Sequence, residues 1–245
     1  MIKKQDSIFS SGIGLAFLAG IGLMVANISP TIVTAYVQNP IFSTRDAGNI
    51  ISINMLGNAL GALITSFYLQ RFNWFRATVF LLSILIVLDL FSISVTHPFL
   101  LFLVRFIYGM TAGALMGIAY AAIAQTSGPE RIQALSYTMQ LLSGGILIQL
   151  ITPQIESAGV KVVWLPLVVF SVIGLLLSPL LRKRTLAKES FVATKNQSRA
   201  NNLIIGLGLA SLCAFQMGQF AAFAYVIELG TNHNFIIGFT GTSVA

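Results

Sequence analysis

Seven long apolar stretches, separated by shorter polar segments, run through this sequence of 245 residues. An α-helix needs about 20 residues to cross the hydrocarbon core of a membrane, and each stretch is long enough. They cover residues 9–36, 48–69, 77–96, 99–124, 132–152, 162–181 and 202–228. Continuous apolar runs such as Thr78–Leu88 lack the alternation of a membrane β-strand. The pattern therefore predicts an all-α fold, a polytopic bundle of transmembrane helices.

The composition excludes several classes of protein. Hydrophobic residues make up 56% of the chain and charged residues only 9%, whereas an average soluble domain has about 25% charged residues. So few charges cannot cover a water-facing surface, which excludes a soluble enzyme. The net charge of +7 does not indicate a nucleic-acid partner, because the basic residues lie between the apolar stretches. We expect membrane lipids around the chain, and the single cysteine, Cys213, is interpreted as a packing residue.

The basic residues predict an orientation. With the N-terminus inside, eleven of the fourteen lie in inner segments, while Arg45 and Lys161 lie outside and Arg105 lies within a span. Inner loops of membrane proteins carry the excess of Lys and Arg. The sequence therefore predicts a multi-pass protein of the cell membrane, the inner membrane in a bacterium, with a cytoplasmic N-terminus.

A long polar segment marks the one internal boundary. Six of the eleven inner basic residues lie between Arg182 and Arg199. Two interpretations stay open, a cytoplasmic linker that fixes topology and a site for anionic lipid. The predicted organisation is a six-helix half at 1–181, a basic linker at 182–201, and a seventh span with the start of a truncated second half at 202–245.

Two charged residues lie deep inside spans, where a charge at the helix centre costs about 2.5–3.5 kcal/mol. Asp89 precedes His97 by eight residues, and Arg105 follows it by eight. At about 1.5 Å rise per residue both lie roughly 12 Å below the same turn, so they can form an ion pair across a helical hairpin. The pair either locks the hairpin, or Arg105 is a cavity charge that responds to a proton on Asp89.

Glycines recur at intervals of four residues in two spans. Gly109, Gly113 and Gly117 follow Arg105, and the second span contains Gly57 and Gly61. Such stripes of small residues let neighbouring helices approach closely. We therefore expect these glycines to pack helices together.

The fourth span resembles a motif of the major facilitator superfamily. The motif reads Leu101-x-x-x-Arg105-x-x-x-Gly109-x-x-x-Gly113, with Tyr108 where Gln is usual. The stretch from Gly57-x-x-x-Gly61 to Arg76 is similar to the family's second helix and the inner loop that follows it, and the resemblance covers nearly the whole chain. In the family that loop is a conformational latch, which implies such a role for Gln70, Arg71 and Arg76. This chain has Ser66, Tyr68 and Asn73 in place of the usual Gly, Leu and Gly, and Gln70 in place of the usual Asp, so the latch loses a charge.

The resemblance also implies a central cavity, formed by the first, fourth, fifth and seventh helices, in which a small-molecule substrate binds near the membrane midplane. The polar residues inside these spans are Asn27, Arg105, Gln140 and Gln216, and Asn58 lies in the second span. Each either bonds a neighbouring helix or lines the cavity. Asp89 is the candidate for proton coupling, and Glu228 is a weaker one. The fifth span lacks the Gly-x-x-x-Gly-Pro pattern of drug/proton antiporters.

Other functions have less support in the sequence. His97 and His233 lie in loops, and neither a metal-ligand spacing nor a glycine-rich phosphate loop is present, so we expect no enzyme, catalytic residue, metal or cofactor. The prediction is a secondary transporter that works by alternating access. The alternative is a seven-span receptor or sensor. Because a complete transporter of this family has twelve spans, we expect the chain to be a truncated form that lacks its carboxy-terminal half.

Overall fold

The computed structural model describes residues 2–69, 71, 73–181, 206–208, 210, 211, 214, 218 and 222–232, of which 2–11 and 231–232 are described by their backbone only. These residues form helices and contain no β-strand. In chain order the helices are α1 (Ile2–Ile21), α2 (Met24–Asn27), α3 (Ser29–Val37), α4 (Thr44–Tyr68), α5 (Trp74–Ser94), α6 (Pro98–Ala124), α7 (Pro129–Ile151), α8 (Ile155–Ala158), α9 (Lys161–Leu177) and α10 (Val226–Asn232), with 3₁₀ turns at Thr152–Gln154 and Ser178–Leu181. The all-α prediction is confirmed.

Five segments are long and apolar enough to cross a membrane, among the residues that the structure describes. They are Thr44–Tyr68, Trp74–Ser94, Pro98–Ala124, Pro129–Ala158 and Lys161–Leu181. They correspond to the second to sixth predicted spans. The seventh predicted span, 202–228, and the predicted linker lie largely outside the described residues.

The first span is where the structure departs from the predicted pattern. Hydropathy gives one uninterrupted stretch at 9–36, but the chain forms three helices there, and within it only Gly12–Ile21 is an uninterrupted apolar helix of ten residues or more. The first break is at Gly22 and Leu23, and the second is at Ile28. Pro30 lies in the first turn of α3, where its missing N–H costs no helical hydrogen bond. Hydropathy does not detect these breaks because every residue around them is still buried or half-buried.

Local sequence explains where several helices begin. Ser43 caps α4: its hydroxyl accepts a hydrogen bond from the Asp46 N–H at 3.1 Å, and Asp46 accepts one from the Ser43 N–H at 3.0 Å. This reciprocal capping box satisfies two backbone donors at the start of the helix. Asn73 caps α5 by accepting from the Arg76 N–H at 3.1 Å. Pro98 is the first residue of α6 and Pro129 the first of α7, the position that suits proline.

The helices α4 and α6 pack backbone against backbone. A Cβ placed on Gly57 would lie 3.0 Å from the Met110 nitrogen, and one on Gly113 would lie 2.8 Å from the Asn58 carbonyl carbon. Gly61 and Gly109 are equally crowded by backbone of the facing helix, whereas a Cβ on Gly117 would meet only the Thr65 methyl at 3.4 Å. Four of the five predicted packing glycines therefore form the contact, and Gly117 lies at its edge.

The outer surface of the bundle is apolar. Phe67, Leu141 and Leu176 are 75%, 71% and 76% exposed. The buried core lies between α1, α3, α5, α6, α7 and α9, and its largest members include Tyr36, Trp74, Tyr108 and Trp164. Apolar side chains on both the inside and the outside are expected of helices that lipid surrounds.

Candidate functional site

The predicted ion pair is present. Nη1 of Arg105 donates to Oδ1 of Asp89 at 3.0 Å, and both side chains are 0% exposed. The loop at 95–97 joins α5 to α6 as a tight antiparallel hairpin, so equal spacing from His97 brings the two residues to the same depth. This confirms the geometric part of the prediction.

The rest of the Arg105 guanidinium is enclosed. Nη2 donates to the Leu88 carbonyl at 3.1 Å and also to the Ser92 hydroxyl. Cζ lies 3.9 Å from the ring centroid of Trp164 and 4.6 Å from that of Tyr108. A desolvated cation over an aromatic face gains about 2 kcal/mol or more. The charge is therefore held by α5, α6 and α9, and no part of it reaches the surface of the described chain.

Two polar atoms of this ion pair could form further hydrogen bonds. Nε of Arg105 and Oδ2 of Asp89 are buried and have no hydrogen-bond partner among the described residues. Behind them, the Trp164 indole donates to the Tyr36 hydroxyl at 3.0 Å, which connects the cluster to α3. We refer to Asp89, Ser92, Arg105, Tyr108 and Trp164 as the charge cluster.

A second group of polar side chains surrounds the broken first span. Nδ2 of Asn58 donates to the Gly22 carbonyl at 2.7 Å, at the first break. Nδ2 of Asn27, at the end of α2, lies 3.4 Å from the Gln140 carbonyl of α7, a long hydrogen bond. Three of the predicted cavity residues are thus close to the same interrupted stretch, and each contacts a neighbouring helix. We refer to Asn27, Asn58 and Gln140 as the amide cluster.

Gln140 also lines a cavity. Its Nε2 donates to Ser136 at 3.0 Å, and Ser136 donates to the Ala16 carbonyl at 3.0 Å. The adjoining cavity has a volume of about 260 Å³ and lies between α1, α2, α7 and α9. Its walls are apolar apart from Gln140 and Ser143, and they include Phe17, Met24, Met139 and Phe170. The cavity can therefore take an apolar group beside a hydrogen-bonding one.

In the described part of the chain, no hydrogen bond, ion pair or ring contact joins Arg105 to Asn27, Asn58 or Gln140. The Arg105 side chain faces α5 and α9, while its backbone carbonyl accepts a hydrogen bond from Nδ2 of Asn54 on α4 at 3.0 Å. Arg105 and the amide cluster therefore have separate sets of contacts, and their assignment to one cavity stays a prediction.

The residues of the predicted latch lie where α4 ends and α5 begins. Cζ of Arg71 is 5.6 Å from the Tyr68 ring centroid, and both Arg71 and Arg76 are exposed. Gln70 and Gln216 lie outside the described residues. In the described part of the chain, no group of three His, Cys, Asp or Glu residues is placed to hold a metal ion.

Several residues in or next to these clusters were not predicted from the sequence as parts of the site. Ser92 follows Asp89 by three positions, and Tyr108 follows Arg105 by three, so helical periodicity could have placed each on the face of its charged neighbour. Asn54 precedes Asn58 by four positions and shares its face in the same way. Helical spacing could not indicate Trp164 or Tyr36, because these two residues come from other spans.

Comparison with known proteins identifies the family. A family model described as "Uncharacterised MFS-type transporter YbfB" matches residues 17–236, which is most of the chain. No curated protein matches the sequence. The match does not favour the receptor alternative. Together with the apolar helices and the fourth-span motif, it shows that this multi-pass membrane protein belongs to the MFS-type transporters, the major facilitator superfamily.

Proposed function

We propose that the protein is a secondary transporter that moves a small solute by alternating access, with the amide cluster as part of the solute site. The observation that carries the proposal is that Asn58 and Gln140 both contact the interrupted first span, at Gly22 and Asn27, and that Gln140 also lines a cavity. Transporters bind substrate near the midplane, where broken helices leave backbone groups free to coordinate it.

The cavity indicates the chemistry of the solute. Its polar groups are an amide and a hydroxyl, and its walls are aromatic or aliphatic. A pocket of this kind orients a ligand through a few hydrogen bonds and holds it by apolar contact. We propose a small solute that combines a hydrogen-bonding group with an apolar portion.

Uptake into proteoliposomes, measured against a panel of such compounds, tests the proposal. Gln140→Leu removes the buried amide, and we expect transport of any transported compound to be about 5- to 150-fold slower, because a lost hydrogen bond costs about 1–3 kcal/mol when its partners stay buried. Gln149→Leu, at an exposed position of the same helix, is the matched control. Equal transport by both variants would contradict a role for Gln140 at the solute site.

Proton coupling through Asp89 is a further part of the proposal. Its support is the carboxylate that lies fully buried beside Arg105, with Oδ2 available to a proton. Asp89→Asn should abolish the pH dependence of transport, while Asp89→Glu should retain it. Transport by Asp89→Asn with the pH profile of the unchanged protein would exclude coupling at this residue.

The organisation of the whole transporter is also proposed. We take 1–181 as one six-helix half, 182–201 as a cytoplasmic linker and 202–245 as part of a second half. Arg71 lies in the loop between the second and third spans and Arg76 in the first turn of α5; we propose these two residues, together with Gln70, as the inner-gate latch. The basic residues of these segments support a cytoplasmic N-terminus.

A further inference from the structure

A second cavity opens at the end of the bundle that contains the loop between α4 and α5. Its volume is about 590 Å³, more than twice that of the cavity at Gln140. It is formed by the last turns of α4, the first turns of α5 and the facing stretch of α6 around Ala114 and Ile118. We call it the α4/α5 groove. It is separate from both the charge cluster and the amide cluster, since it shares no residue with either.

The walls of the groove are apolar and continue onto the lipid-facing surface. Ile64, Phe80, Leu81 and Ile118 line it. Ile64 is 45% exposed and Phe80 66% exposed, so the groove is open at the side of the bundle. In a membrane, a side opening of this kind faces acyl chains.

The mouth of the groove, in contrast to its apolar walls, is polar and positively charged. Arg71, Asn73 and Arg76 line it, and Arg71 lies against the Tyr68 ring. Within the described chain, no carboxylate lies within ion-pairing distance of either guanidinium. Two positive charges therefore stand together at the membrane interface, directly beside an apolar groove.

We propose that the α4/α5 groove binds an anionic phospholipid, with the headgroup phosphate on Arg71 and Arg76 and an acyl chain along Ile64 and Phe80. Guanidinium groups form strong charge-assisted hydrogen bonds with phosphate oxygens. Basic pockets between transmembrane helices are suited to phosphate headgroups. The volume lies within the range of about 300–1,000 Å³ that small-molecule sites occupy, which is enough for a headgroup and the adjoining part of one chain.

Lipid binding to the 245-residue chain tests whether the two arginines hold the headgroup. The purified protein in nanodiscs of phosphatidylcholine is titrated with phosphatidylglycerol, and binding is read by native mass spectrometry. Each basic residue near the membrane surface strengthens anionic-lipid binding about fivefold, so we expect Arg71→Ala/Arg76→Ala to weaken it about 25-fold. Arg131→Ala, at an exposed arginine near the start of α7, is the matched control: it lies at the same end of the bundle but does not line the groove, so it should weaken binding no more than the about fivefold effect of one general surface charge. Unchanged affinity in the double variant would overturn the proposal.

A second experiment tests whether the groove holds an acyl chain, and it distinguishes a lipid from free phosphate as the ligand. Ala77→Leu fills the groove while leaving both arginines in place, and we expect several-fold weaker phosphatidylglycerol binding. Ala124→Leu, at an exposed position at the same end of the bundle, should have no effect. Short-chain phosphatidylglycerol should displace the bound lipid far better than inorganic phosphate does. Equal displacement by the two, or an unchanged affinity in Ala77→Leu, would overturn the proposal, because the arginines would then bind phosphate alone.

The test does not depend on the transport proposal. It measures binding to a membrane-embedded chain, so a protein that transports nothing can still bind the lipid, and a transporter can fail to bind it. Thermal unfolding of each variant in detergent shows that it is folded, and Arg71→Lys/Arg76→Lys, which keeps both charges, should retain most of the binding.

Discussion

At the scale of single residues, Arg105 poses the sharpest energetic problem, since it holds a full charge where water is excluded. Its guanidinium uses one carboxylate, one carbonyl, one hydroxyl and two aromatic faces in place of water. A buried pair roughly balances its own desolvation cost, but removing one partner strands the other charge. Asp89 and Arg105 therefore depend on each other far more than surface pairs do.

This dependence predicts a non-additive pair of mutations. Asp89→Asn alone should lower the free energy of unfolding by about 3–5 kcal/mol, because it leaves Arg105 as an uncompensated buried charge. Asp89→Asn/Arg105→Gln, which removes both charges, should cost less than the sum of the two single changes. Thermal unfolding of the purified proteins in detergent measures all three variants. Strictly additive losses would mean that the two side chains do not stabilise each other.

At the scale of helices, the contact between α4 and α6 is set by backbone rather than by side chains. Neither helix has room for a methyl group at Gly57, Gly61, Gly109 or Gly113. Without a hydrophobic force between helices in lipid, such close packing supplies dispersion contacts along the whole interface. It also fixes the depth of Arg105, because Asn54 on α4 bonds the carbonyl of that residue.

Alanine substitutions along the stripe test this interface. Gly113→Ala places its Cβ 2.8 Å from the Asn58 carbonyl carbon and should destabilise the protein by about 1–3 kcal/mol, as overpacking does. Gly117→Ala meets the Thr65 methyl at an ordinary 3.4 Å and should change stability little. Chemical or thermal unfolding compares the two variants. Equal losses of stability in the two variants would show that α4 and α6 lie farther apart at Gly113 than they do in the structure.

The hairpin and the glycine contact could be predicted from sequence because their partners are related by a fixed local spacing. Asp89 and Arg105 are symmetric about His97, and the glycines recur every four residues. The aromatic cover of Arg105 could not be predicted, since Trp164 comes from a different span, and hydropathy carries no information on helix rotation. The breaks in the first span could not be predicted either, because the residues at a buried break are as apolar as those of the helix around it.

At the scale of the whole molecule, successive spans run in opposite directions and the loops alternate between the two ends. The segment 38–43 and the loop at 95–97 share one end, and the loops at 69–73 and 125–128 share the other. The bundle by itself does not say which end faces the cytoplasm. The distribution of basic residues supports our proposal that the second end faces the inside.

Cysteine labelling tests this orientation in cells. In a Cys213→Ser background, Gln38→Cys should react with a membrane-impermeant maleimide added outside. Ser127→Cys should react only after the membrane is permeabilised, because the positive-inside rule places its loop in the cytoplasm. The two positions are both exposed, so accessibility within the fold does not distinguish them. The reverse pattern of labelling would invert the proposed topology.

The proline at the second break has a consequence for the transport cycle. A ring nitrogen without a hydrogen cannot donate to a carbonyl one turn earlier, so a helix that continued from α2 into α3 would lack one backbone hydrogen bond at Pro30. The missing donor belongs to the covalent chain and does not depend on a bound ligand. Bending the first span at this position therefore breaks one hydrogen bond fewer than bending it at a residue that has a backbone N–H.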